Sequence, residues 1–267
     1  MEDYDKSRLY SYASNFQKTS GILAILCAVI GLIFLLAWMG GEHKSQACLG
    51  GFDFGELIFN FHPIFMYSGM ILFALSALLS YRVLPFTKHF TKNLHGILHT
   101  CSIMCVIFGL TCVFVGNNYK SKNDYHVYYP NLFTLHSFLG LGAVLLYFQN
   151  YLLGIYHFLS SLEAVTVEAR KEYMPMHIFL GTMSLILAFM TVETGIMELT
   201  TELQCYYEVS EPDNNPASNY HLLKYGCKLA NGAGVMVMLV AVFGLFALYN
   251  FRPEAKSHET QFLIDQA

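Results

Sequence analysis

Residues 57–70, LIFNFHPIFMYSGM, place one histidine, His62, at the edge of a long apolar segment and directly before Pro63. An imidazole is costly at a membrane boundary unless it has a partner or a ligand. The rest of the chain is also apolar: of 267 residues, 55% are hydrophobic and only 13% are charged, whereas soluble domains average about 25% charged residues. The composition predicts a polytopic membrane protein. The basic residues are scattered, so the sequence gives no support for nucleic-acid binding.

Six segments have the roughly 20 apolar residues that a bilayer-crossing helix needs. They lie at residues 20–40, 62–81, 94–115, 136–158, 176–198 and 229–251. The chain is therefore predicted to be all-α, with a cytosolic segment at 1–19, a membrane domain at 20–251 and a cytosolic tail at 252–267. Pro63 and Pro175 are expected in the first turns of the second and fifth helices, where a missing N–H is tolerated.

The distribution of basic residues predicts the orientation of the helices. An even number of spans puts both termini on one side, and that side and its loops hold ten of the fifteen Lys and Arg residues. Cytosolic segments carry the excess of Lys and Arg. Both termini are therefore expected to be cytosolic, and the opposite face holds Lys44, Lys120, Lys122, Lys224 and Lys228.

Four of the eleven histidines stand where the second to fifth predicted spans begin: His62, His95, His136 and His177. Consecutive antiparallel helices begin on opposite faces. His62 and His136 are therefore expected near the non-cytosolic face, and His95 and His177 near the cytosolic face. Two neutral imidazoles facing each other suit the axial positions of a haem iron, although they also suit other metals.

Other readings of the histidines remain open at this point. His95 and His99 have the i, i+4 spacing found in helix-borne zinc sites, but we expect His99 to be a hydrogen-bonded core residue. A polytopic transporter with structural or metal-binding histidines is the alternative of another class. A transporter would usually show charged or broken spans near the bilayer centre, and the spans here are almost uncharged.

Several stretches around these histidines resemble the cytochrome b561 family. They are NFHP at 60–63, YRVLP at 81–85, TKNLHGILH at 91–99, NLFTLHSFLG at 131–140 and MPMHIFLG at 174–181. The resemblance implies a homodimer whose second to fifth helices form a four-helix core holding two b-type haems. It also implies transfer of one electron from cytosolic ascorbate to an acceptor across the membrane. By this resemblance, His62 and His136 ligate the non-cytosolic haem, and His95 and His177 the cytosolic one.

The donor site needs cations, because ascorbate is an anion at neutral pH. Five basic residues are expected to gather at the cytosolic face, where they would bind anionic oxygens and raise the encounter rate. They are Arg82, Lys88, Lys92, Arg170 and Lys171.

The acceptor site is predicted from residues near the non-cytosolic ends of the helices: His43, Asn118, Phe133 and Glu193. Glu193 is the one acid well within a span, a position where acids are often functional. Phe133 stands where relatives commonly have tyrosine, which favours ferric iron over monodehydroascorbate as the acceptor. The chain is thus expected to be an ascorbate-dependent ferric reductase, or alternatively a monodehydroascorbate reductase of secretory vesicles.

Two further predictions concern loops and the tail. Cys205 and Cys227 are expected to close the last non-cytosolic loop as a disulfide, and a bond from Cys48 to either of them is the alternative. In the tail, Glu259 followed by Leu263–Ile264 resembles an acidic dileucine sorting signal. This signal favours a location in the membrane of the late endosome or lysosome over the plasma membrane or the secretory-vesicle membrane.

Overall fold

A computed structural model describes residues 15–42, 44–84, 86–123, 130–159, 165–205, 220 and 223–249. Within these residues, six helices are long and apolar enough to cross a membrane, which confirms the predicted all-α class with six spans. They are α1 (Asn15–Gly40), α2 (Ile58–Val83), α3 (Lys88–Asn123), α4 (Leu135–Leu159), α5 (Val167–Glu202) and α6 (Tyr225–Leu248). We call the end of the bundle near His62 and His136 the His62 end, and the opposite end the His95 end.

Helices α3 and α5 are longer than the hydropathy pattern predicts. Each has 36 residues, or about 54 Å at 1.5 Å per residue, whereas the hydrocarbon core is about 30 Å thick. Helix α5 begins at Val167, after the N-cap residue Thr166, whose Oγ1 accepts a hydrogen bond from the Ala169 N–H at 3.1 Å. Pro175 therefore lies inside α5, and its predicted first-turn position is wrong because the helix continues beyond the bilayer.

The four middle helices form two hairpins. Helix α2 packs along α3 and α4 packs along α5, whereas α3 and α4 barely touch. Helices α1 and α6 pack against each other and against α2. Small residues allow this close approach: a Cβ at Gly244 in α6 would lie 3.1 Å from Leu75 Cδ1 in α2. Each predicted histidine pair draws one residue from each hairpin.

The structure joins Cys205 to Cys227 as a disulfide, so the pairing that the sequence left open with Cys48 is resolved. Cys48 is free and buried, and burial raises the pKa of its thiol, which keeps it in the less reactive protonated form. His43 and the tail residues 252–267 lie outside the described residues.

Candidate functional site

The first histidine pair lies at the His62 end. The ring centroids of His62 in α2 and His136 in α4 are 6.3 Å apart. Nδ1 of His62 lies 3.0 Å from the carbonyl oxygen of Gly109, and Nδ1 of His136 lies 2.9 Å from that of Thr191. A carbonyl oxygen only accepts, so each Nδ1 carries the proton and donates. This tautomer leaves Nε2 of both rings available to a metal.

The second pair has the same spacing at the His95 end. The ring centroids of His95 in α3 and His177 in α5 are also 6.3 Å apart. Nδ1 of His95 lies 2.9 Å from the carbonyl oxygen of Ala77 and donates to it. Nδ1 of His177 is buried and has no hydrogen-bond partner among the described residues. The structure thus brings together both pairs predicted from helix direction.

The spacing within each pair fits a single metal ion between the two rings. An imidazole nitrogen lies about 1.1 Å from its ring centroid and about 2.0 Å from a bound metal, so two opposed rings should have centroids about 6.2 Å apart. Among the described residues, no group of three or more His, Cys, Asp or Glu is placed to share a metal. Protein zinc sites use three or four such ligands. Two ligands per site instead fit a haem iron, whose macrocycle fills the other positions.

Two glycines make room for the histidine rings. A Cβ at Gly195 would lie 2.7 Å from Cε1 of His136, and a Cβ at Gly154 would lie 3.0 Å from Cε1 of His177. The sequence offered no signal that singles out these two among 20 glycines. Gly69, near His62 in α2, serves helix packing instead: a Cβ there would lie 2.9 Å from the Ser102 carbonyl oxygen in α3.

His99 belongs to the bundle interior between the two sites. Its ring centroid is 4.3 Å from that of His95, and its Nδ1 lies 2.6 Å from the Tyr147 hydroxyl oxygen. The prediction that His99 is a hydrogen-bonded core residue is therefore confirmed. With this polar partner, the partly buried His99 ring does not need a metal to explain its position.

The His95 end also carries a polar and aromatic group that sequence reasoning missed. The ring of His157 stacks on Tyr173 with centroids 4.1 Å apart, and Tyr173 lies 6.1 Å from His177. His157 belongs to the π-helical turn Ile155–Leu159 that ends α4. The sequence did not single out His157, because a π-helical turn has no simple sequence signal. Such turns are frequent at functional sites.

The predicted donor cations have different environments. Arg170 stands one turn before Tyr173 on the same face of α5, and its Nε is buried without a hydrogen-bond partner among the described atoms. Nη2 of Arg82 donates to the Leu248 carbonyl oxygen at 3.3 Å, and so caps the end of α6. Lys88 and Lys171 are exposed, and Lys92 is partly buried. Arg170 is thus the cation whose position most clearly favours an anionic ligand.

Three of the four predicted acceptor residues, Asn118, Phe133 and Glu193, lie in the described part of the chain, each with its own neighbours. Asn118 joins a side-chain network in which Asn131 Nδ2 donates to Asn118 Oδ1 at 3.4 Å, and Phe133 nearby along the chain is 73% exposed. Glu193 lies on a face of α5 where its Oε2 would be 3.1 Å from a Cβ built at Gly234 in α6.

These features define a six-helix membrane protein with two facing-histidine sites, one toward each end of the bundle. The family model of eukaryotic cytochrome b561 matches residues 61–202, more than half of the chain. The chain belongs to this family and is a transmembrane oxidoreductase. The resemblance inferred from the sequence motifs is confirmed.

Several named proteins are similar along most of their length. A probable ascorbate-specific transmembrane electron transporter 1 of Oryza sativa subsp. japonica is 33% identical over 72% of this chain and 76% of its own. A lysosomal membrane ascorbate-dependent ferrireductase, CYB561A3, of Homo sapiens is 31% identical over 86% of this chain and 88% of its own. Transmembrane ascorbate ferrireductase 1 of Arabidopsis thaliana is 29% identical over 83% and 81%, respectively.

Proposed function

We propose that this protein transfers single electrons across a membrane from cytosolic ascorbate to ferric iron on the other side. Two b-type haems would be held by His95 with His177 and by His62 with His136. The observation that carries the proposal is the pair of facing-imidazole sites, each with centroids 6.3 Å apart, at opposite ends of the bundle. The names of the human and Arabidopsis relatives, both ascorbate ferrireductases, support the donor and the acceptor.

A haem with two imidazole ligands supplies a one-electron carrier without an open coordination position. The chain's own residues fix the geometry. Backbone carbonyls of neighbouring helices hold three of the four rings and keep the proton on Nδ1. Ring orientation is thus set before any ligand binds, which preserves the coordination geometry and keeps the ligands basic.

Arg170 is the proposed anchor for ascorbate at the His95 end. Its buried Nε is an unpaired cationic donor, and such a group is expected to bind an anion rather than remain empty. Arg170 precedes His177 by two helical turns on the same face of α5, roughly 10 Å along the axis. Tyr173 stands between them. Lys88, Lys92 and Lys171 would add attraction at longer range.

The orientation of the chain in the membrane, its subcellular location and its oligomeric state stay predictions. The excess of Lys and Arg at the His95 end supports cytosolic termini. The name of the human relative, a lysosomal membrane protein, supports a location in the membrane of the late endosome or lysosome. The boundaries of the membrane domain at 20–251 and the homodimer rest on the sequence reasoning and the family resemblance.

The decisive experiment is an absorption spectrum of the purified protein before and after ascorbate, with haem counted per chain. Two low-spin b-type haems, reduced by ascorbate, are expected. His136→Ala and His177→Ala should each remove one haem, whereas His89→Ala, at an exposed position on α3, should retain both. A wild-type protein without haem would contradict the proposal and favour the transporter reading of the histidines.

A further inference from the structure

A buried amide in α4 contacts residues of α5 on both sides of Pro175. Asn150 is only 6% exposed. Its Nδ2 lies 3.1 Å from the carbonyl oxygen of His177, and its Oδ1 lies 3.4 Å from the hydroxyl oxygen of Tyr173. A carbonyl oxygen only accepts, so the amide nitrogen faces His177 and the amide oxygen is left to accept from Tyr173. Both polar ends of the Asn150 side chain are thereby used.

Pro175 makes this part of α5 depend on support from a neighbouring helix. It lies inside α5 and has no N–H, so the carbonyl of residue 171 loses its helical partner and is crowded by the proline ring. Such a position is where a helix kinks. The segment with Tyr173 is therefore joined to the segment with His177 less firmly than in an unbroken helix, and the Asn150 side chain bridges the two segments from α4.

The amide supports the one ligand whose ring lacks a backbone partner. Three of the four paired histidine rings donate from Nδ1 to a carbonyl oxygen, whereas Nδ1 of His177 has no partner among the described atoms. The Asn150 side chain holds the backbone of His177 instead. Gly181 leaves room for this contact, because a Cβ there would lie 3.3 Å from Nδ2 of Asn150.

We propose that Asn150 is a positioning residue that keeps the donor-binding segment of α5 and the ligand His177 in a fixed relation across Pro175. The inference rests on the function proposed above, because it needs a haem at the His95 end and an ascorbate site at Arg170. Through Nδ2, Asn150 fixes the backbone from which the His177 ring projects. Through Oδ1, it orients the Tyr173 ring, whose centroid lies 6.1 Å from that of His177. A purely structural amide would instead only hold α4 against α5.

The first test is the electron paramagnetic resonance spectrum of the oxidised, haem-loaded protein. This spectrum reports the relative orientation of the two ligand rings at each low-spin haem and does not depend on ascorbate. Asn150→Leu keeps a similar volume and removes both hydrogen bonds. It should shift the signal that is missing in His177→Ala and leave unchanged the signal that is missing in His136→Ala. Gln149→Leu removes an exposed amide at the neighbouring position of α4 and should shift neither signal.

The second test is the ascorbate concentration for half-maximal haem reduction. Asn150→Leu and Tyr173→Phe should each raise it about fivefold, as expected when one neutral hydrogen bond is lost. The double variant should show the same rise as Asn150→Leu alone, because both substitutions break the same hydrogen bond. Tyr173→Phe should leave the resonance spectrum unchanged, since the contact between Asn150 and His177 remains.

The outcomes decide between positioning and mere packing. Loss of only the haem that His177 holds, in Asn150→Leu, would support the proposal as a shifted signal would. Loss of both haems, equal shifts of both signals, an unshifted spectrum, or additive effects in the double variant would overturn it. A wild-type protein that lacks haem, or that ascorbate does not reduce, would instead overturn the proposed function, so the two failures are distinguishable.

Discussion

Replacing Gly195 by alanine should remove the haem proposed for the His62 end. The added Cβ would lie 2.7 Å from Cε1 and 2.8 Å from Nδ1 of His136, whereas carbon atoms in favourable contact are about 3.5–4.0 Å apart. The ring must therefore move by about 0.8 Å or more. Metal–ligand distances tolerate changes of only about 0.2 Å. The same movement would disturb the 2.9 Å hydrogen bond from His136 to Thr191.

The assay is the haem content per chain, measured by pyridine haemochrome, together with the absorption spectrum. The haem content of the Gly195→Ala variant should fall from two per chain to one. Gly154→Ala, where the contact with His177 would be 3.0 Å, requires a ring shift of about 0.5 Å and should weaken retention less. Gly142→Ala is the comparison variant in α4, because a Cβ there meets no protein atom within 4 Å. Alanine favours a helix over glycine by about 1 kcal/mol, so haem loss cannot be attributed to a weaker helix. Two fully retained haems in Gly195→Ala would refute the reasoning.

Three other variants test separate parts of the structure. Arg170→Gln should raise the ascorbate concentration for half-maximal haem reduction about tenfold, because one charge-assisted hydrogen bond contributes about 1.5 kcal/mol. Lys171→Gln, at the exposed neighbouring position, should change it about twofold at most, and an equal effect of both variants would contradict a specific role. Asn60→Ala should lower the free energy of unfolding by about 2 kcal/mol, since two loop carbonyls lose their donor; an unchanged melting temperature would be inconsistent with this. Replacing Cys205 and Cys227 by serine should lower stability by about 3 kcal/mol for a separation of 22 residues, measured as the melting temperature with and without reductant.

The sequence could predict the six spans and the histidine pairs because both depend on simple periodicities. Hydropathy gives the spans, and the alternation of helix direction then assigns each histidine to one end of the bundle. This reasoning matched His62 with His136 and His95 with His177, and the structure brings both pairs together at 6.3 Å. It needed no knowledge of side-chain contacts, since depth in the membrane follows from position along the helix.

The details that the sequence could not supply depend on contacts between helices far apart in the chain. Gly195 was indistinguishable from other glycines until α4 placed His136 against it. The start of α5 was missed because the apolar pattern covers only the part of the helix inside the bilayer. The N-cap at Thr166 instead fixes the start of the helix at Val167. An open pocket beside Phe59 is lined by segments from Cys48 to Leu203, more than 140 residues apart in the chain, and no local pattern marks it.

The two hairpins place their histidines at equivalent positions, and the backbone carbonyls that accept from the rings at the His62 end are at equivalent positions too. At the His62 end, each ring donates to a carbonyl fourteen residues beyond the histidine of the neighbouring helix: Gly109 follows His95 in α3, and Thr191 follows His177 in α5. Fourteen helical residues span about 21 Å. The hydrocarbon core is about 30 Å thick, so this register places one site in each half of the membrane. The hairpin repeat thus sets the distance that an electron must cross between the sites.

The repeat is broken at one position, and the break predicts unequal sites. Ala77, the partner of His95, stands fifteen residues after His62. The equivalent residue in α4 is Tyr151, but Nδ1 of His177 has no partner among the described atoms. A carbonyl partner makes an imidazole more basic and favours ferric iron. The site held by His177 should therefore have the higher midpoint potential. Potentiometric titration should resolve two midpoints, and Gly195→Ala, which disturbs the His62 end, should remove the lower one. Loss of the higher midpoint in that variant, or a single midpoint for both sites in the wild type, would contradict the assignment.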